Sequence, residues 1–428
     1  MKTLGLVYAA LGKGGIERGA SFQIPMFRKA GWRVVVFTAL PASDDDYLAP
    51  DCCAHVCIGV DETAGRSQKL AAALQAHGVD LLVHHDAYRA DVLAADLAIA
   101  HAEGVKAVVF WHSVFSHFYL RRGRQLEAKS LFEAVRGADA MITLTSTDAV
   151  FFRLYGIPAQ PIPYADPDLM SGFVRESWPR RLIWMGRFVE LKRPLDALRI
   201  FERVLGRFSD AEFLMLGDGD ETPVIRDYLA AHPRLAKSVI CPGFVNDVRP
   251  FLEKAGVGLL TSRFEGYCHS IVEMQMASLP VVAYEMPWLD TLGTEAGALQ
   301  VSQGDVAAAA DVLCRLLDDR EECRRRGGMA RAAYEAIAGR DQERVYAEFF
   351  DRVMRGELDV LRRIDPDAAG AAVRTFVLHA DAALRLAAED VRAETLEAYA
   401  RYMATNRSYR IGRALTWPLR ECRKLLSH

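Results

Sequence analysis

Two blocks of short apolar runs alternating with helically spaced segments, divided by a burst of prolines, leave this chain few folds to choose from. In the first block the runs 4–9, 33–38, 81–84, 107–111 and 140–144 are continuous rather than alternating, as in strands buried on both faces. Segments 14–28, 71–77, 92–103 and 126–136 between them have helical spacing. Strands separated by helices imply βαβ units and a parallel sheet. Pro158, Pro161, Pro163, Pro167 and Pro179 then interrupt regular structure. The alternation restarts with strands at 182–185, 212–216, 239–241, 257–260 and 280–283. Helices are expected at 195–208, 223–231, 248–254 and 270–277, followed by 306–317, 321–338 and 341–354. The expected fold class is therefore α/β, with two tandem Rossmann-like, doubly wound domains around a cleft. The boundaries are 1–167 for the first domain, 168–180 for the connector and 181–340 for the second domain. A helix follows at 341–355, and a helical extension at 356–428.

At about 150 residues per domain, 428 residues accommodate two such units and an extension. A formal net charge of −3 gives no field that argues for nucleic acid as a partner. No apolar run approaches the 18–20 residues of a spanning helix. Lys2 and the apolar 3–11 stretch resemble the start of a signal peptide. Gly14 and Gly15 follow without a small-residue cleavage pattern, so a first strand entering a glycine loop is expected instead. Cys52, Cys53, His55 and Cys57 lack a second ligand pair at zinc-site spacing and read as thiols on a strand. No metal site is expected, and the compartment reads as reducing and cytoplasmic. The near-neutral total hides an asymmetry, since residues 401–428 carry +6, interleaved with Tyr402, Tyr409, Leu415 and Trp417.

Doubly wound domains bind ligands at the carboxyl ends of their strands. Leu11 to Arg18 follows the first strand and opens a helix. There Gly14 and Gly15 would let the backbone approach an anion at the helix N-terminus, the alternative being a tight turn needing positive φ. The spacing is not that of a dinucleotide fingerprint, which weakens a nicotinamide oxidoreductase reading. His112 ends a strand and could reach the cleft or be structural. His84 and His85 read more readily as structural. Arg187 and Lys192 follow the first strand of the second domain, where a guanidinium and an ammonium suit a diphosphate. Glu265 and Glu273 are separated by seven residues, in Glu265-Gly266-Tyr267-Cys268-His269-Ser270-Ile271-Val272-Glu273, at a strand–loop–helix joint. One could take a sugar hydroxyl and the other a ribose diol, with phosphate on the helix N-terminus between them.

In combination and order, these motifs and the Leu216-Gly217-Asp218-Gly219 turn resemble the retaining GT-B glycosyltransferases of family four, over about residues 1–355. The resemblance implies an enzyme moving a sugar from a nucleotide diphosphate sugar to an acceptor hydroxyl, with no cofactor and no metal. Arg187 and Lys192 would hold the donor diphosphate, and Glu273 the ribose. Glu265 would contact the donor sugar, and His112 would contact that sugar and face the acceptor. Gly14, Gly15, Gly266, Tyr267 and Cys268 would line the donor site. The 341–355 helix would cross back to the first domain. Two departures stand out: Cys268, followed by His269, stands where a Gly or Pro is usual, and Tyr164-Ala165-Asp166-Pro167-Asp168 replaces a usual Asn-Gly-Val-Asp.

Expected partners are the nucleotide-sugar donor and a glycan or lipid-linked acceptor, and no nucleic acid. The basic–aromatic end, 407–424, would lie on an anionic membrane surface, placing the enzyme peripherally on the inner face; the alternative is a helical cap or dimer contact with a solvated basic face. Rival readings of the same cleft are a nucleotide-sugar epimerase and a catalytically silent nucleotide-sugar binding or scaffold protein.

Overall fold

The computed structural model describes residues 1–12, 14–43, 54–60, 64–115, 125–166, 168–381 and 384–385. β-Branched and aromatic apolar runs form its central strands, and all strand pairs are parallel. The first sheet comprises β1 (Thr3–Tyr8), β2 (Arg33–Thr38), β3 (Ala54–Cys57), β4 (Leu81–His84), β5 (Lys106–Trp111), β6 (Ala140–Thr143) and β7 (Ala159–Pro161), in the order β3-β2-β1-β4-β5-β6-β7. The second comprises β8 (Arg181–Met185), β9 (Glu212–Leu216), β10 (Val239–Gly243), β11 (Val257–Leu260), β12 (Val281–Tyr284) and β13 (Ala298–Val301), in the order β10-β9-β8-β11-β12-β13. Strand order reverses between β1 and β4 and again between β8 and β11. Those two switch points are where a doubly wound sheet opens a crevice for a ligand. His55 and Cys57 lie on β3. There His55 Nε2 meets Thr38 Oγ1 at 2.8 Å, while Cys52 and Cys53 fall outside the described residues.

Helix Gln342–Arg355 follows the second domain yet packs on the first. Asp341 caps it by accepting from the Arg344 amide at 3.0 Å, and Gly356 ends it in the left-handed region. Its apolar face carries Tyr346, Phe349, Phe350 and Val353, all buried. Phe27 meets Tyr346 edge-on at 5.1 Å, and Trp32 meets Phe350 edge-on at 5.7 Å. Gln23 Nε2 donates to the buried Tyr346 hydroxyl at 2.8 Å. One apolar cluster therefore runs from the first sheet through this helix to the inner face of the second domain. Residues 366–381 are also helical. Compact units divide at His379–Ala380, and most of the second unit, including 407–424, lies outside the described residues. No helix among the described residues is long and apolar enough to cross a membrane.

Candidate active site

β1 leads through Gly14, the N-cap, into helix Gly15–Lys29. Gly14 sits in extended backbone at φ −142°, and neither it nor Gly15 has positive φ, so the strained-turn alternative does not hold. At the end of β4, His84 is buried and paired with Asp96 at 3.0 Å, and Arg66 completes a structural triad on that carboxylate. His85 is different. It stacks on Tyr8 at 4.4 Å, and its Nδ1 shares a hydrogen bond of 2.9 Å with His112 Nε2. Phe110 stacks on the other ring at 4.3 Å, so His112 at the end of β5 is held on two sides. Burial, with His269 as a lesser contributor, pushes the His112 pKa down to about 3. His85 is likewise pushed well below its ordinary value by burial first and His112 second. His112 is therefore a neutral hydrogen-bonding group near pH 7 rather than a cation.

In the second domain the β8 loop packs on the turn after β9. A Cβ at Gly217 would overlap the Gly186 carbonyl, and Gly217 has φ +144°, so both the approach and the conformation need glycine there. The loop bearing Lys192 is sewn to the end of β11. Thr261 Oγ1 donates to the Lys192 carbonyl at 2.8 Å, and the Arg263 amide donates to the Leu191 carbonyl at 2.8 Å. This places the Lys192 ammonium on the Glu265 carboxylate in a largely buried ion pair. Ser262 Oγ donates to the same oxygen at 2.6 Å, and Trp288 Nε1 donates to the Glu265 carbonyl at 2.9 Å. Burial is the strongest influence and pushes the Lys192 pKa down, but the charge and hydrogen bond of Glu265 together with Cys268 turn the net direction upward, so the ammonium stays charged. Arg187 is exposed, and its charge acts on both Lys192 and first-domain Tyr88.

The two sets meet in three places. Gly266 lies against the first domain so closely that a Cβ there would come within 2.4 Å of the His112 carbonyl oxygen. His269 opens helix His269–Met276; its Nε2 meets the Tyr164 hydroxyl at 3.2 Å, and it hydrogen-bonds the Gly15 backbone. Burial first, and then the charges of Arg18 and Lys192, hold His269 neutral, down to about 3. Tyr164 lies over Gly19, and its carbonyl accepts from the Tyr267 hydroxyl at 2.5 Å. Tyr164, at one departure from the family pattern, thus meets His269, the residue after the other. Finally, Arg18 pairs with Glu273 at 3.0 Å and reaches the Asn246 carbonyl at 3.4 Å. Burial raises the Glu273 pKa, and Arg18 opposes it. Cys268, between these contacts, is buried with φ +64°, and burial pushes its thiol up to about 12.

His112, Glu265 and Gly266 therefore share one wall, Lys192 joins them, and Arg187 stands at its edge. Arg18, His85, Tyr164, His269 and Trp288 enlarge the site beyond the residues that the motifs single out. Arg18 stands inside the glycine-loop motif and His269 inside the E-x7-E element, but their partners lie in the other domain. Among the described residues, no group of three or more His, Cys, Asp or Glu side chains is placed to hold a metal ion.

Residues 13–164 match the family described as Glycosyltransferase Family 4, and residues 179–319 match the one described as Glycosyl transferases group 1. The chain belongs to this glycosyltransferase family. No curated protein matches the transferase. Its fold is that of GT-B glycosyltransferases of known structure. TarM of S. aureus, solved with fondaparinux, alpha-GlcNAc-glycerol and UDP, is 11% identical, with a TM-score of 0.68 over 82% of this chain and 100% of that one. HepE of Anabaena, solved with UDP-glucose, is 14% identical, with a TM-score of 0.66 over 82% and 100%. Sucrose-phosphate synthase of Thermosynechococcus elongatus is 17% identical, with a TM-score of 0.60 over the same shares.

Proposed function

We propose that this glycosyltransferase moves a hexosyl group from a nucleotide diphosphate sugar to an acceptor hydroxyl, with retention of anomeric configuration and without a metal. The observation that carries the reading is the Lys192–Glu265 pair, set at the β8/β11 switch point beside Arg187 and next to Gly266, which abuts the His112 backbone. Arg187 and Lys192 meet the charge that grows on the departing diphosphate, and stabilising that charge lowers the barrier more than any other contact such a site can offer. Glu265 and neutral His112 take sugar hydroxyls, and Glu273, shared with Arg18, takes the ribose. The bond from the anomeric carbon to the phosphate oxygen breaks as the acceptor oxygen bonds to the same carbon. The acceptor proton passes to the departing phosphate, so no enzyme nucleophile is required. The ion pair Arg18–Glu273 and the close approach at Gly266 hold the two walls together, which favours exclusion of water and transfer over hydrolysis.

A uridine diphosphate hexose is the first donor to try, because neighbours of this fold hold UDP and UDP-glucose. A donor at 100 times its dissociation constant stabilises the fold by about 2.7 kcal/mol, a shift readily read by thermal unfolding. One nucleotide sugar is expected to raise the midpoint, and NMR of the transferred product is expected to show the donor's anomeric configuration. An inverted product would sink retention. A changed sugar formed without acceptor would mean an epimerase, and tight binding without turnover a silent scaffold.

We further infer a cell-surface glycan or lipid-linked acceptor, with the basic–aromatic 407–424 run resting on an anionic membrane surface. Full-length protein is expected to sediment with phosphatidylserine-containing vesicles, and a chain ending at Ala400 is expected to remain in the supernatant. Equal sedimentation would rule the tail out as the contact.

A further inference from the structure

Beyond the crossing helix, residues 366–381 form a second element that touches both domains. Ala368, Ala369, Ala372, Phe376 and His379 fall on one stripe at helical spacing. The first four pack into the outer apolar layer of the first domain. Phe376 meets Phe151 edge-on at 5.5 Å, and Arg153 donates to the Arg363 carbonyl at 3.1 Å, so this end is seated on helix Ser146–Leu154. Less than one turn later the stripe reaches the second domain. His379, 4% exposed, lies face to face with Trp288 at 3.7 Å and 27°. Phe264 stacks on the same indole at 5.7 Å. Phe264 immediately precedes Glu265, and Trp288 is the residue whose Nε1 holds the Glu265 carbonyl.

The loop bearing Trp288 has a second hold. Asp290 Oδ2 accepts from the Ser146 amide at 3.3 Å, at the first turn of the helix that seats Phe376. Two ties from one region of the first domain thus converge on the loop that fixes Glu265.

We propose that His379 is a positioning residue for the donor-sugar loop, acting through the Trp288 ring on the Glu265 backbone. The extension would then be a working part of the catalytic core. A flat ring at position 379 keeps the indole in the plane from which its N–H reaches the carbonyl, and a branched aliphatic side chain fills the space without imposing that plane. The inference rests on Glu265 contacting the donor sugar, but its first readout does not. In full-length H379L and H379F proteins, backbone amide hydrogen exchange is measured over 262–268 and 285–292. H379L is expected to exchange at least ten-fold faster there with an unchanged global unfolding midpoint, and H379F to match the wild type. With the donor identified as above, H379L is expected to raise the donor KM about ten-fold, with a smaller change in kcat, and H379F to restore it. Wild-type exchange in H379L, or exchange in H379F as fast as in H379L, would overturn the proposal. Altered exchange without the KM effect would keep His379 as a brace of the loop and remove Glu265 from the donor site.

Discussion

Lys192→Ala protein is expected to turn over its donor on the order of 10²–10³-fold more slowly than wild type and to lose about 3–5 kcal/mol of stability. Arg187→Ala is expected to lose activity on the same scale at unchanged stability. The contrast follows from surroundings. Lys192 neutralises Glu265 in a largely buried pair, and its removal leaves a buried carboxylate facing the Ser262 hydroxyl without a counter-charge among the described residues. Arg187 is exposed, so its loss strands nothing. kcat/KM with the donor and urea midpoints measured on both proteins check the pair of outcomes. Wild-type turnover in Arg187→Ala would remove it from the diphosphate site. Full stability in Lys192→Ala would mean that Glu265 finds water when the lysine is gone.

Gly266→Ala is expected to damage both rate and fold. Its Cβ would stand 2.4 Å from the His112 carbonyl oxygen and 3.1 Å from the Ser113 Cα, both of them backbone. No rotamer change can relieve the overlap, so the loop bearing Glu265 must retreat from the end of β5 by about 1 Å. A displacement of that size costs on the order of 10² in rate, and the overpacking about 1–3 kcal/mol. Gly206→Ala makes the control. Gly206 lies in helix Pro194–Arg207, and among the described residues nothing beyond its own helix stands within 4 Å of its Cβ, so wild-type-like behaviour is expected. Equal kcat/KM for Gly266→Ala and wild type would show that the two walls do not need this contact during turnover.

Central strands are legible because burial on both faces leaves a continuous apolar run. The strands that apolar spacing does not flag, β7 and β13, together with β3, which only its thiol cluster marks as a strand, are all sheet edges. Their covering is partial, as the mixed burial along Ala54–Cys57, Ala159–Pro161 and Ala298–Val301 attests, so their sequences carry polar and small residues and no run. Spacing does not flag helix Ser146–Leu154 either, although Thr145 and Asp148 hold its N-terminal cap, a pattern written in the sequence. Arg187, Lys192, Glu265 and Glu273 can be singled out because each sits by a strand end, a property of local order. His269 with Tyr164, and Trp288 with His379, cannot be paired that way. Their partners are 105 residues away in the first case and in a different element in the second, and only the docking of the domains brings them together. His85 reads as structural by sequence, and it is buried, but its bond to His112 makes it part of the wall.

The crossing helix Gln342–Arg355 imposes an order of assembly on the growing polypeptide. Phe27 and Trp32 emerge from the ribosome early, and the side chains that cover them, Tyr346 and Phe350, emerge more than three hundred residues later. At about 5–20 residues per second, the first domain waits on the order of ten seconds after its last strand before that cover is made. Through that interval its bare aromatic face is open to a chaperone or to a second nascent chain, so a late contact of the fold also closes a long exposure to misassembly.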